Sequence, residues 1–96
     1  MKEPTLYNLT ITTANTEYSQ ALPAGCNAME VRLRDSTAFR VAWVTGKVAT
    51  PTAPYLTIPA GHAYYVSNLD TRRAHTIYIA APAGTKMAEV EVWLGG

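Results

Sequence analysis

Histidine, cysteine and clustered carboxylates are the side chains with which a small protein most readily does chemistry, and this sequence holds few of them. His62 and His75 are its only histidines and Cys26 its only cysteine. Nucleophilic catalysis needs Ser, Cys or Thr beside a base that a third group orients. No Gly-x-Ser-x-Gly turn is present. His75 has the parity of Ile77 and Ile79, which points it toward the core end of a strand as a hydrogen-bonded structural residue. His62 follows Gly61 at a strand start and takes the same reading. A single cysteine excludes an internal disulfide and a Cys-based zinc site. With no electropositive neighbours to favour a thiolate, Cys26 is expected as a small residue in a turn.

Metal chemistry has one point of entry. Ile58-Pro59-Ala60-Gly61-His62 resembles a cupin turn. The metal site of such a fold needs two histidines at close alternate positions, a nearby Glu and a later His. Position 64 is Tyr, and no acid follows before Asp70. The pattern therefore fails at the ligands, and a small cupin-like enzyme stays only as a third alternative. Paired carboxylates could cleave sugars if they sat about 5–10 Å apart in a cleft. Glu89 and Glu91 share one exposed strand face, and Glu30 lies on another strand beside Arg32 and Arg34. Opposite charges on such strands more simply form cross-strand or intersubunit pairs. No Gly-rich phosphate cradle occurs. No catalytic, metal or cofactor residue is assigned, and the chain is expected not to be an enzyme.

Aromatic rings are the more informative side chains. Tyr55, Tyr78 and Trp93 fall on outward positions, and of the adjacent Tyr64 and Tyr65 at least one must face outward. Rings outside a core bury much area at little entropic cost when a partner covers them. They can also stack on sugars, or be covered by an edge or terminus of the same chain. All three readings stay open.

These residues must be positioned by strands. Apolar residues alternate with polar ones at Leu9 and Ile11, at Met29, Val31 and Leu33, and at Phe39, Val41 and Trp43. They do so again at Leu56 and Ile58, at Ile77 and Ile79, and at Val90, Val92 and Leu94. A period of two means one buried and one exposed face. Thr16 to Leu22 and His62 to Ser67 are weaker candidates. About eight short strands at about 8–12-residue spacing predict one all-β domain over residues 1–96, an antiparallel β-sandwich or jelly roll. No stretch reads as a helix.

Pro-Ala-Gly occurs at Pro23 to Gly25, Pro59 to Gly61 and Pro82 to Gly84, without a fixed period. It is expected to make three convergent turns, Pro presetting the first corner and Gly taking a positive φ. Thr45 to Pro54, with two prolines and Lys47, is the one long break. A Greek key needs a crossover between sheets, and this segment is expected to supply it, with or without partner contacts.

Composition narrows the partners. The 96 residues suffice for a single core. Charged residues make up 16%, against roughly 25% in an average protein, which fits faces that meet partners. Net charge is +1, and only Arg72 and Arg73 are adjacent cations. Without a basic stripe, neither nucleic acid nor an anionic membrane is an expected partner. Met1-Lys2-Glu3-Pro4 lacks the apolar run of a signal peptide, so a soluble chain made in a cytosol is expected.

A resemblance extends this reading. Thr13-Ala14-Asn15-Thr16-Glu17-Tyr18-Ser19-Gln20-Ala21-Leu22-Pro23-Ala24-Gly25 precedes the alternation Met29 to Arg34. Then follow Gly46 to Tyr55 and the closing Glu89-Val90-Glu91-Val92-Trp93. Over roughly residues 10 to 94 this arrangement resembles small virion proteins of tailed bacteriophages and prophages, capsid decoration or cement-like proteins with sandwich or jelly-roll folds. The resemblance implies a structural protein on a virion surface, a dimer or trimer attached to a phage capsid or other virion protein. Candidate contacts are Tyr55, Tyr78, Trp93, Arg32, Arg34, Lys47, Glu89 and Glu91. A carbohydrate-binding, host-recognition module is the alternative, with Trp93 and the tyrosines stacking on a glycan.

Overall fold

Strand patterning translates directly into structure. The computed structural model describes residues 3–95. Its strands are β1 (Thr5–Ile11), β2 (Tyr18–Leu22), β3 (Cys26–Leu33), β4 (Phe39–Ala42), β5 (Leu56–Ile58), β6 (Tyr64–Val66), β7 (His75–Ala80) and β8 (Lys86–Leu94). Two four-stranded sheets form, with orders β1-β8-β3-β6 and β2-β7-β4-β5. Every pairing is antiparallel. The fold is an antiparallel β-sandwich.

The pairing is nested. β1 meets β8, β2 meets β7, β3 meets β6 and β4 meets β5. The chain is one long hairpin, rolled so that β3 also joins β8 and β4 joins β7. This is the jelly-roll form of the sandwich. Inward side chains from both sheets make the core. Ile11, Met29, Val31, Leu33, Val90 and Val92 face Leu22, Phe39, Val41, Ile77 and Ile79, all at 2% exposure or less. Alternation with polar neighbours follows the pleat, as expected.

Nesting corrects the expectation for residues 45–54. β4 and β5 are neighbours in one sheet, so the segment is the tip of the long hairpin and not a crossover. Periodicity assigns faces but not neighbours, and the true sheet changes are made by shorter connections. The tip folds back over the outer face of its own sheet. Val48 is fully buried there against Ala42, Ala80 and Tyr78. The Arg40 guanidinium donates to the carbonyls of Val48 (2.8 Å) and Ala49 (3.4 Å) and to Asn15 Oδ1 (2.9 Å). Glu17 accepts from Thr45 Oγ1 (2.7 Å) and the Gly46 amide (2.8 Å).

Two of the three Pro-Ala-Gly turns share one geometry. The Cys26 amide donates to Pro23 O and the His62 amide to Pro59 O, with Gly25 and Gly61 at φ +94° and +81°. Proline stands before the first corner, where its carbonyl is the acceptor, and Ala takes that corner. The third copy differs. Thr85, not Gly84, takes the positive φ there. Gly84 serves close approach instead, since a Cβ would stand 2.6 Å from the Thr12 carbonyl oxygen. Cys26 is also not in a turn. It opens β3, fully buried, beside a bulge at Cys26/Ala28, because the turn ends at Gly25.

Candidate functional site

Residues of β1, β8, β3 and β6 that alternate with the core line the outer face of their sheet. Register sets them in rows. Leu6 stands opposite Glu91, Glu91 opposite Glu30, and Glu30 opposite Tyr65. Asn8, Glu89 and Arg32 form the next row, while Trp93 stands opposite Ala28 on the other side. Five of the eight candidate residues, Arg32, Arg34, Glu89, Glu91 and Trp93, therefore share one face.

Charges on this face are unevenly matched. Glu89 bridges two arginines, accepting from Arg32 Nε at 3.2 Å and Arg34 Nε at 2.8 Å. The Arg34 guanidinium, joined by Arg32, holds the Glu89 carboxyl below the usual carboxylate range. The opposite charges on β3 and β8 thus pair across strands. Glu30 and Glu91 are directly opposed, and neither forms an ion pair among the described residues. Like charges directly opposite each other destabilise a sheet. A cation from outside would relieve them.

Apolar groups frame that acid pair. Leu6 is 71% exposed and Tyr65 58%. Tyr65 packs edge-to-face on Trp93 with ring centroids 6.1 Å apart, within the range where such pairs add stability beyond their area. A shallow depression of about 240 Å³ runs between Leu6, Glu30 and Glu91. The arrangement offers apolar contact, two carboxylates unpaired among the described residues and an arginine pair on an open surface.

The other candidates lie elsewhere. Tyr78 does point outward, but half-buried against the Val48 loop of its own chain. Lys47 lies in that loop, its carbonyl accepting from the Thr52 amide. Tyr55 lies with Val44, Pro54 and Leu56 around an apolar depression of about 210 Å³. Leu56 has the parity of a core residue yet is 51% exposed, because β5 ends its sheet and nothing covers that edge. Sequence reasoning did not single out Leu6. Its signal was an apolar residue on the parity of Asn8 and Thr10.

Of the two histidines, both expected as hydrogen-bonded residues, only His75 has a side-chain hydrogen bond among the described residues. His75 Nε2 lies 2.8 Å from Asp70 O, and its ring meets Trp43 edge-on. His62 is exposed in its turn. Tyr64, at the position where a cupin-like site would need a second histidine, points inward and accepts a 3.1 Å hydrogen bond from Trp43 Nε1. Among the described residues no cluster of three or more His, Cys, Asp or Glu could hold a metal. Burial pushes the Cys26 thiol up, away from a reactive thiolate.

No family model and no curated protein matches the sequence. Among solved structures, a de novo designed double-stranded β-helix, solved by NMR in solution, is similar in fold. It has a TM-score of 0.56 and 13% identity, and the likeness covers 95% of this chain and 97% of that one. At that identity the likeness speaks for the fold alone.

Proposed function

We propose that this chain is a structural virion protein, a subunit that docks on a phage capsid or another virion surface through the outer face of the β1-β8-β3-β6 sheet. The observation that carries the docking is the uncovered face itself: Leu6, Tyr65 and Trp93 around the unrelieved Glu30–Glu91 pair. Aromatic and apolar anchors carry most of the energy of protein interfaces, and complementary charges set partner and register. The fitting partner presents a Lys or Arg flanked by apolar groups. Its identity as a virion protein rests on the resemblance of the turn and strand phrases.

The test is to purify virions from the phage or prophage that encodes the chain and to locate it by mass spectrometry and cryo-EM. Stoichiometric density with this sheet face against a virion protein supports the proposal. Absence of the chain from intact virions overturns it. Trp93→Ala and Glu91→Lys should each reduce incorporation at least tenfold while leaving the fold intact. Glycan binding by the wild type that Trp93→Ala abolishes, with no virion association, would instead support the sugar-recognition alternative.

A further inference from the structure

We propose that β1 is a self-association edge, along which two copies of this chain pair β1 to β1 antiparallel and join their sheets into one eight-stranded sheet. The sandwich has four edge strands: β1 and β6 of one sheet, β2 and β5 of the other. Exposed edges invite pairing with another chain, and proteins blunt them with shortness, proline, charge or bulges. β5 and β6 have three residues each, and Pro54 and Pro59 flank β5 closely. β2 has five residues and runs into Pro23.

β1 has Pro4 immediately before it but none of these defences along its length. Its seven residues, Thr5-Leu6-Tyr7-Asn8-Leu9-Thr10-Ile11, contain no charge, proline or glycine. Its register with β8 runs unbroken. Among the described residues, β8 is its one backbone partner, so the hydrogen-bonding side away from β8 is free.

The side chains favour a second copy as the occupant. Tyr7 and Leu9 pack on the core but stay half-buried, because no strand continues the sheet beyond them. An antiparallel pair centred on Asn8, the middle residue, sets Leu6 opposite Thr10 of the second copy. Tyr7 then stands opposite Leu9 of the second copy on the core side, and each covers the other's open flank. A slip by one residue would turn the apolar set to the wrong face. A neutral strand meets its own copy without repulsion. The resulting sheet also carries two docking faces side by side, which raises attachment strength by avidity. That consequence alone rests on the docking proposed above.

The test is solution mass by sedimentation and light scattering over a wide concentration range. The expected result is a rise from the 10.4 kDa chain mass toward twice that value. In Leu6→Lys/Asn8→Lys each lysine faces a glutamate of its own β8, Glu91 or Glu89, so folding is supported. Two copies would then meet lysine on lysine at position 8, with the lysine at position 6 diagonal to it, and association should fall at least tenfold. Asn8→Cys should oxidise to a covalent dimer, and Thr57→Cys on β5 should not. A chain that stays monomeric throughout overturns the proposal. So does a dimer that the lysines leave unchanged, or one that cross-links through Thr57→Cys instead. Docking that survives in a monomer removes the strand pairing alone, and pairing without virion attachment removes the docking alone.

Discussion

Replacing Arg40 by Ala should open the hairpin tip while leaving the sheets paired. Arg40 is half-buried on β4, and its guanidinium holds the carbonyls of Val48 and Ala49 together with Asn15 Oδ1. A hydrogen bond to a charged group contributes about 1.5–3 kcal/mol. Three would contribute more, but the site is partly solvated and the 3.4 Å contact is weak, so water replaces part of the loss. About 2 kcal/mol is the expected change for closure of the tip. At 1.4 kcal/mol per tenfold, that raises the open population about 30-fold. Trypsin can read this population, because Lys47–Val48 is a cleavable bond whose Val48 side is fully buried in the closed tip. Cleavage tracks the open state when opening is fast. Cutting at Lys47–Val48 should therefore accelerate about 30-fold in Arg40→Ala, while cutting at exposed Arg72 and Arg73 stays constant. Arg40→Lys, with a single donor head in place of a fork, should lie between. A cleavage rate within twofold of wild type would refute the reasoning and place the hold on the tip with Val48 and Glu17.

Acid should destabilise the fold in a defined window. Lys86 Nζ, at 2.6 Å, and Thr37 hold Asp35 down to about 2, Arg72 lowers Asp70, and Arg34 lowers Glu89. Folded values below the ordinary 3.8 and 4.5 mean that this stability is complete above those values and is lost as pH falls toward about 2. Tm should be flat from pH 7 to 5 and decline below, and Lys86→Ala should lessen the decline; a Tm unchanged at pH 2.5 would contradict this. Gly84→Ala should lower stability by about 1–3 kcal/mol in urea titration, because its Cβ meets a backbone oxygen and not a flexible side chain. The Cys26 thiol should react with an aromatic disulfide reagent only as fast as the domain unfolds, accelerating with urea; rapid labelling in native buffer would show that β3 opens locally.

Much of the architecture was legible in the chain. Alternation placed Met29, Val31 and Leu33 inside and Glu30, Arg32 and Arg34 outside, since a pleat reverses successive side chains whatever strands lie alongside. The positive φ of Gly25 and Gly61 was legible for the same local reason. Gly84 was not, because its role is set by Thr12, distant in sequence. The site was legible one residue at a time. Arg32, Arg34, Glu89, Glu91 and Trp93 could be read as outward-facing, and the pairing of the arginines with glutamate followed from charge.

Neighbour relations were decided by the tertiary structure. That Glu30 faces Glu91, that Leu6 and Tyr65 frame them, and that Tyr78 lies beneath its own loop all depend on β3 pairing with β8 and on the hairpin tip folding back. The residues from Thr45 to Pro54 have the composition of a connection, and either a crossover or a hairpin tip could be built from it. A strand's faces follow from its own backbone, whereas its neighbours follow from which global arrangement buries every inward face at once. One chain can therefore announce its strands and its exposed chemistry, while the assembled sheets decide which of those side chains meet.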